Sequence, residues 1–552
     1  MSALIATATA WRDADIDQDT REQLDQLLVQ AAAEDDAIST PARAELVSAF
    51  AGPLQFGTAG LRGPLGPGPA RMNRVVVARA AAGFAAWLTG QGLGGGTVIV
   101  GYDARHKSAN FARDTAEIMA GAGFSVLLTA EPTPTPVVAF GIQHYGCVAG
   151  VVVTASHNPP QDNGYKVYLG DGSQIVPPVD AEIAARIAAT AEGSVLELPR
   201  SGDYATVGGD LLEAYVLRTA GLVAADAPRD VRWVHTAMHG VGAKTVRAAA
   251  HAIGFADAHE VHEQAEPHPD FPTVAFPNPE EPGAIDLALA LARETSADVV
   301  IANDPDADRC AVAAVIDGDW RMLTGDELGT LLGDDAIRRG GPGVFANSVV
   351  SSTWLATMAR AAGREHRITL TGFKWIGRVP NLAFGYEEAI GYCVDSAAVP
   401  DKDGITTAMT VLRIVAGLKS EGLTLADRLD EITRRDGLHA TSQLSVRVAD
   451  LSIIADAMAR LREAPPAELL GEPVAVTDLA IGTAELPPTD GVELTGRTVH
   501  VVARPSGTEP KLKCYLEARL SVEDSADPAA ARVEGRRRLE VLRAEMAAAL
   551  GV

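Results

Sequence analysis

Positive charge is in short supply in this chain. Across 552 residues, 47 Lys and Arg stand against 72 Asp and Glu, a formal net charge of −25. A field of that sign gives no long-range attraction to nucleic acid or to anionic membranes, so neither is expected as a partner. It also makes any local cluster of Arg and Lys informative, because a cluster that binds an anion has to overcome the global field. Cysteine is equally sparse: Cys147, Cys310, Cys393 and Cys514 lie far apart with no C-x-x-C spacing. Three of them sit in apolar or alternating runs, as buried free thiols do, which points to a reducing, cytoplasmic setting. No uninterrupted apolar run reaches about 18 residues, and no basic stretch precedes the apolar residues after Met1. Neither a signal peptide nor a membrane span is supported. Short-period repeats and low-complexity tails are missing too.

What is present is an ordinary globular composition, 47% hydrophobic and 22% charged. At roughly 150 residues per domain the length implies three to five domains. Residues 1–50 read as a helical preface, acidic from residue 13 on, with Leu24, Leu27, Leu28 and Ala31 at helical spacing. From Thr97 onward strands alternate with helices, which argues for mostly parallel sheets covered by helices. The breaks in this pattern divide the chain into segments 51–210, 211–325, 326–440 and 441–552.

The run Cys147–Val153 is small, β-branched and uncharged, and reads as a strand buried on both faces. It ends in Thr154-Ala-Ser156-His157-Asn158-Pro159-Pro160, where two prolines force the chain out of the sheet. A serine hydroxyl is thereby left at the carboxyl end of a strand, where open α/β sheets collect ligands. The following Gln161–Lys166 reads as a turn that returns an ammonium to the same place. Taken alone, Ser-His-Asn-Pro serves equally well as a turn cap.

A second strand, Asp298–Ala302, runs straight into Asn303-Asp304-Pro305-Asp306-Ala307-Asp308-Arg309. Carboxylates at i, i+2 and i+4 in a tight loop converge on one hard cation, and without a cation they raise one another's pKa. Three ligands leave coordination positions open, which suits Mg²⁺ shared with a phosphate oxygen. An EF-hand is excluded because its sixth-position Gly and twelfth-position Glu are missing.

Four further loops carry candidate chemistry. Gln55–Pro64 sets Arg62 among three glycines, and Gly101-Tyr-Asp-Ala-Arg105 again delivers an arginine just past a strand. Gly385-Tyr-Glu387-Glu388 offers paired carboxylates to sugar hydroxyls, or forms an exposed turn. The strand Thr498–Ala503 leads into Arg504-Pro-Ser506-Gly507-Thr508-Glu-Pro-Lys511, and an alternating strand follows. Arginine, lysine and free backbone N–H groups between two strands make an anion cradle.

These motifs, Thr154–Pro159, Asp304–Arg309, Gly385–Glu388 and Arg504–Thr508, occur in the order found in the α-D-phosphohexomutase superfamily, which the chain resembles from about residue 50 onward. The resemblance implies an α/β protein of four domains around a central cleft, three related mixed α/β domains and a smaller C-terminal α+β domain. It implies that Ser156 carries the phosphoryl group, and that Asp304, Asp306, Asp308 and a phosphoserine oxygen hold Mg²⁺. It implies that Arg62, His157, Lys166 and Arg309 line the transferring phosphoryl, with His157 and Lys166 as acid/base candidates. Gly372, Lys374, Arg504, Ser506, Gly507 and Thr508 would belong to the grip on the non-reacting phosphate, and Glu387 and Glu388 to the sugar contacts. The implied partners are a phosphosugar substrate and a bisphosphorylated sugar as activator, handled by a monomer or weak dimer.

The sugar loop departs from the hexose pattern Gly-Glu-x-Ser, because Ala389 stands where the serine hydroxyl is expected. Together with Asp401-Lys-Asp-Gly404, it is more similar to the branch that includes phosphopentomutases. The expected reaction is exchange of a hexose 1-phosphate with its 6-phosphate, with phosphopentomutase as the alternative. A Mg²⁺-dependent phosphatase would need water at the phosphoserine. A non-catalytic sugar-phosphate-binding protein would need neither Ser156 nor the aspartates.

Overall fold

The computed structural model describes every residue of the chain except 58, 59, 192, 449, 451 and 507–510. It divides into two compact units. The first comprises Met1–Ala225, Arg232–Cys310 and Ala397–Met409. Its preface is three helices, Ser2–Ala14, Gln18–Ala31 and Asp36–Ala49, the last two capped by Asp17 and Asp35. Ala8, Leu24, Ala31, Ala42 and Leu46 form their shared core, with Leu27 and Leu28 packed at its edge.

The main sheet of this unit has the strand order Leu61–Pro64, Asp162–Leu169, Ala149–Val153, Thr97–Tyr102, Ser125–Thr129, Ala205–Val207. The last four run parallel, whereas Asp162–Leu169 is antiparallel to both of its neighbours. Every residue of Ala149–Val153 is buried, as its composition predicts. On one face Val98, Val100, Val151 and Val153 meet Phe84 and Phe111 in a single core. On the other, Gly141 and Gly150 let the helix Thr135–His144 settle close to Ile99. Residues 161–166 correct the sequence reading, because Lys166 lies in the strand Asp162–Leu169 and not in a turn. The turn spans residues 156–161, and alternation along the strand then aims Lys166.

A smaller parallel group in the same unit pairs Trp233–Thr236 with His259–Glu260 and with Val299–Ala302. The helices Gly242–Ile253 and Asp286–Thr295 accompany it.

The second unit comprises Asp226–Val231, Ala311–Ser396 and Thr410–Val552. It holds a hairpin, Ala311–Ile316 with Asp319–Met322, and the helix Gly325–Arg339, opened by a Thr324/Glu327 capping box. A four-stranded sheet follows in the order His366–Thr369, Val344–Ser348, Leu382–Glu387, Gly391–Cys393. The C-terminal part is a five-stranded antiparallel sheet built on Leu438–Arg447, Lys511–Leu520 and Val499–Pro505. Leu539, Leu542, Met546 and Leu550 of the helix Pro528–Leu550 bury one stripe against Leu512 and Leu516.

Residues 397–409, inside the expected 326–440 segment, pack with the first unit. The cause is polar: Tyr168 and Gln174 donate to Asp401 at 2.9 and 2.7 Å, and Tyr215 donates to both oxygens of Asp403 at 2.8 Å. No helix among the described residues is long and apolar enough to cross a membrane.

Candidate active site

The first unit gathers most of the predicted chemistry at the end of Ala149–Val153. Ser156 adopts φ 52°, a left-handed conformation that a non-glycine residue holds only under constraint. Its hydroxyl donates to Asp304 Oδ2 at 2.8 Å and lies 3.2 Å from His157 Nδ1. The strand Leu61–Pro64 sets Arg62 opposite Gly164, and its guanidinium reaches Asn158 Oδ1 at 3.4 Å. Gly60 makes this approach possible, since a Cβ there would meet the Tyr165 carbonyl oxygen at 1.8 Å.

Asp304, Asp306 and Asp308 are all fully buried, and one oxygen from each falls within 4.8 Å of the other two. Ala307 at φ 56° reverses the loop between the second and third aspartates. Asn303 braces it by donating to the Arg309 carbonyl at 2.7 Å while its Oδ1 lies 3.0 Å from His235 Nε2. A pair of like charges 4.8 Å apart repels by about 3 kcal/mol at an effective dielectric of 20, so the trio needs cations. Lys166 supplies one, donating to Asp306 Oδ2 at 2.6 Å and to Asp308 Oδ2 at 2.7 Å. Arg309 lies 4.0 Å from Asp308 Oδ1.

The electrostatics follow from burial and neighbours. Burial, reinforced by Asp306 and Asp308, raises the Asp304 carboxyl well above the usual carboxylate range. Burial pushes Asp308 the same way, but Lys166, Lys402 and Arg309 outweigh it and hold Asp308 low. Burial works against the Lys166 ammonium, yet Asp306 and Asp308 leave it above its ordinary value. His157 is lowered by burial and then by Arg309 and Arg62, which keeps its imidazole neutral.

Asp306 Oδ1 and Asp308 Oδ1 are buried and find no hydrogen-bond partner among the described residues. Orphaned carboxylate oxygens in a buried site fit a hard divalent cation with oxygen ligands. The donor set contains no thiolate or imidazole that would favour a softer metal.

Two residues of the site, Lys402 and Thr135, are not marked as such in the sequence, and a third, Arg105, is marked only as an arginine just past a strand. Lys402 brings its ammonium 3.3 Å from Asp308 Oδ2. Thr135, in the stretch Glu131–Pro136 that reads as a plain loop, donates to Asp306 Oδ2 at 2.6 Å. Arg105 is 4% exposed and donates to the carbonyls of the Ser156 loop. Its position just past a strand was the one available signal.

The second unit holds the remaining candidates in other loops. Glu387 closes the strand Leu382–Glu387 and is buried, whereas Glu388 is half-buried in the turn that follows. Glu388 Oε2 accepts from Ser348 and Ser351 at 3.1 Å each, and its N–H donates to Ser351 Oγ at 3.2 Å. Two hydroxyls from a neighbouring loop thus hold the carboxylate beside Ala389. Below them the Tyr386 hydroxyl and Ser352 N–H donate to Asp326 at 3.0 and 2.7 Å. Gly372, at φ 106°, leads into the short helix Phe373–Ile376 that carries Lys374. Arg504 pairs with Lys513 across the hairpin, and Ser506 N–H donates to the Lys511 carbonyl at 2.8 Å. Gly507 and Thr508 lie outside the described residues.

A buried hydroxyl on an aspartate trio, flanked by Arg and Lys, fits phosphoryl chemistry in an α/β enzyme. Four family models match in order: the phosphoglucomutase/phosphomannomutase alpha/beta/alpha domains I, II and III at residues 53–194, 213–315 and 324–435, and the C-terminal domain at 444–535. A probable phosphomannomutase of Haemophilus influenzae is 47% identical over 464 residues, covering 83% of this chain and 95% of the relative. A probable phosphoribomutase of Schizosaccharomyces pombe is 37% identical, covering 93% and 94%. Among solved structures, a putative phosphomannomutase from Thermus thermophilus superposes with a TM-score of 0.68 at 27% identity, covering 88% of this chain and 99% of that one. The chain belongs to the phosphoglucomutase/phosphomannomutase family, whose members are phosphosugar mutases.

Proposed function

We propose that this protein interconverts a hexose 1-phosphate and the hexose 6-phosphate, of glucose or mannose, through a phosphoserine at Ser156 and a bisphosphorylated sugar. The observation that carries the reading is the Ser156 hydroxyl, 2.8 Å from Asp304 within a buried trio of aspartates. In the first half-reaction the phosphorus–Oγ bond of phosphoserine breaks as a bond forms to a sugar hydroxyl oxygen. That hydroxyl loses its proton and Ser156 Oγ regains one, and His157, 3.2 Å from Oγ, is placed to carry it. Lys166 is the other candidate for this transfer. The second half-reaction reverses these steps at the other phosphate, after the bisphosphate has turned around. A trace of the bisphosphate therefore serves as activator by restoring the phosphoserine.

Asp304, Asp306 and Asp308, with an oxygen of phosphorylated Ser156, would hold Mg²⁺. When bound, the ion supplies charge neutralisation for the transferring group. Arg62 and Arg309 bring guanidinium charge to the same phosphoryl. By motif match, Lys374 and the loop from Arg504 to Thr508 recognise the phosphate that does not react, and Glu387 accepts hydrogen bonds from sugar hydroxyls. Four free, buried thiols fit a reducing cytoplasm, where the protein would work as a monomer or weak dimer.

A phosphopentomutase reading has its own support in Ala389, in the Ser348 and Ser351 hold on Glu388, and in the relative named a probable phosphoribomutase. The test is a parallel rate assay on α-glucose, α-mannose and α-ribose 1-phosphates with Mg²⁺, a trace of the matching bisphosphate, and Ser156→Ala as the blank. A hexose ahead by about 100-fold in kcat/KM supports the first reading. Ribose 1-phosphate ahead by that factor replaces it with the second. Turnover retained in Ser156→Ala refutes both.

A further inference from the structure

We propose that Arg105, anchored by Asp103, is the positioning residue of phosphoryl transfer: it holds the peptide groups that follow Ser156, while Asp103 holds the one before it through Thr154, so that Oγ meets the acceptor in line. The inference rests on the reading of Ser156 as phosphoryl carrier. The strand Thr97–Tyr102 ends immediately before Asp103, so both side chains start from rigid backbone. Arg105 Nη2 donates to the Ser156 and Asn158 carbonyls at 2.6 Å each. Nη1 donates to the Pro159 carbonyl at 2.8 Å and to that of Asp162 at 3.3 Å. One guanidinium thus binds four carbonyl oxygens of one loop, and the Phe271 ring covers it at 4.9 Å.

The other side of Ser156 is tied to the same anchor. Its N–H donates to Thr154 Oγ1 at 2.9 Å, and that hydroxyl donates to Asp103 Oδ2 at 2.6 Å. Asp103 Oδ1 accepts from the Arg105 N–H at 3.0 Å and from Ser108 Oγ at 2.7 Å, and Oδ2 lies 3.3 Å from Arg105 Nε.

Two consequences make this more than a fold contact. A non-glycine residue at φ 52° relaxes unless its neighbours over-determine it, and here both flanking peptides are pinned. Carbonyl oxygens directed into a guanidinium are also not directed at a phosphoryl anion, which they would repel. The fork geometry is essential. A lysine in its place has three donors radiating from one point and cannot span these carbonyls.

The experiment compares wild type, Arg105→Lys, Arg105→Ala and Thr154→Val for kcat, KM, thermal midpoint and single-turnover transfer of labelled phosphate from the bisphosphate to Ser156. In-line geometry displaced by about 1 Å costs about 100-fold, so Arg105→Lys should lower kcat and the single-turnover rate by that factor, with KM within about threefold. Arg105→Ala should recover at least tenfold on addition of millimolar guanidinium, and Arg105→Lys should not. A merely structural arginine would give neither the kcat-only loss nor the rescue. Thr154→Val, which keeps shape but cuts the tie to the Ser156 N–H, should lose about tenfold in kcat even if the Arg105 variants fail to fold. The proposal is overturned if kcat stays within threefold in the variants that fold, if the loss falls on KM, or if it tracks the folded fraction. Turnover surviving in Ser156→Ala would instead sink the carrier reading itself.

Discussion

Asp326 offers a sharp quantitative test of the second unit, through Asp326→Asn. The residue sits in the first turn of Gly325–Arg339, where a helix N-terminus favours a carboxylate, and accepts from Ser352 N–H and Tyr386 Oη. Burial nevertheless outweighs these donors, with Glu388 adding repulsion, and pushes the carboxyl up to about 7. Because the folded value exceeds the unfolded one of about 3.9, the unfolded chain ionises first as pH rises. Stability is therefore full below about pH 4 and is lost progressively up to pH 7, beyond which no further change occurs. Between pH 5 and pH 8 the wild type should lose about 2.5 kcal/mol through this one group, at 1.36 kcal/mol per unit. Asparagine matches the protonated acid in shape and still accepts both hydrogen bonds, so Asp326→Asn should lose none of it.

Hydrogen exchange of peptides from Gly325–Arg339, followed by mass spectrometry at pH 5 and pH 8, reads the local opening free energy in a protein too large for two-state analysis. The variant should match the wild type within about 0.5 kcal/mol at pH 5 once the residual offset there, about 1.5 kcal/mol in the variant's favour, is subtracted. It should then exceed the wild type by a further 2.5 kcal/mol or so at pH 8. Equal pH dependence in the two proteins, after correction for intrinsic exchange, would refute the assignment of Asp326 as a buried neutral acid.

Two further outcomes follow from single contacts. Glu517 accepts from Ser352 Oγ, Thr353 N–H and Thr353 Oγ1 and lies 2.9 Å from His439 Nδ1. Burial alone would raise this carboxyl, but His439 and His500 together with these donors hold it well below the usual range. Its contribution is present above the unfolded value of about 4.3 and fades as pH falls, so Glu517→Gln should lower the local opening free energy of the Lys511–Leu520 strand by about 2–4 kcal/mol at pH 7 and by less near pH 4, read by hydrogen exchange of the two proteins. Gly240→Ala places a Cβ 2.3 Å from Pro305 Cα, against the backbone of the aspartate loop. It should weaken Mg²⁺ binding by about tenfold in calorimetry, whereas an unchanged affinity would show that the loop yields freely.

The candidate site loops are legible because each joins a buried strand to a residue pattern that suits a particular chemistry. The apolar Cys147–Val153 run and the Asp-x-Asp-x-Asp spacing are both short-range signals: the strand forms at Ala149–Val153, two residues shorter than the run, and the three aspartates converge. Lys166 was assigned to a turn because Asp162-Asn163-Gly164 is strong turn chemistry. Tertiary pairing with Leu61–Pro64 and Ala149–Val153 overrides it and makes a strand. Lys402 and Thr135 were missed for a different reason. Each meets the aspartates from a distant segment, and neither sits in a local pattern that betrays the contact. The exposed turn weighed for Glu387 failed for want of the sheet context that buries the Leu382–Glu387 strand.

The net charge of −25 finally bears on how metal and phosphate enter. With all three carboxylates ionised, as metal ligation requires, and the Arg105–Asp103 pair cancelling, the formal cations Arg62, Lys166, Arg309 and Lys402 around Ser156 number four against Asp304, Asp306 and Asp308. A divalent ion arriving alone would raise this local excess from one positive charge to three in a buried site. A phosphoserine of charge near −2 lowers it to about −1 first, and the ion then returns it close to its starting value. Phosphoryl and Mg²⁺ should therefore bind as mutually dependent charges, with coupling in the usual range of about 1–3 kcal/mol. The phosphorylated enzyme should bind Mg²⁺ at least fivefold more tightly than the dephosphorylated one in calorimetry at matched ionic strength. Equal affinities would mean that Lys166 and Lys402 move aside on metal binding, and that the charges seen around the trio are not those the ion meets.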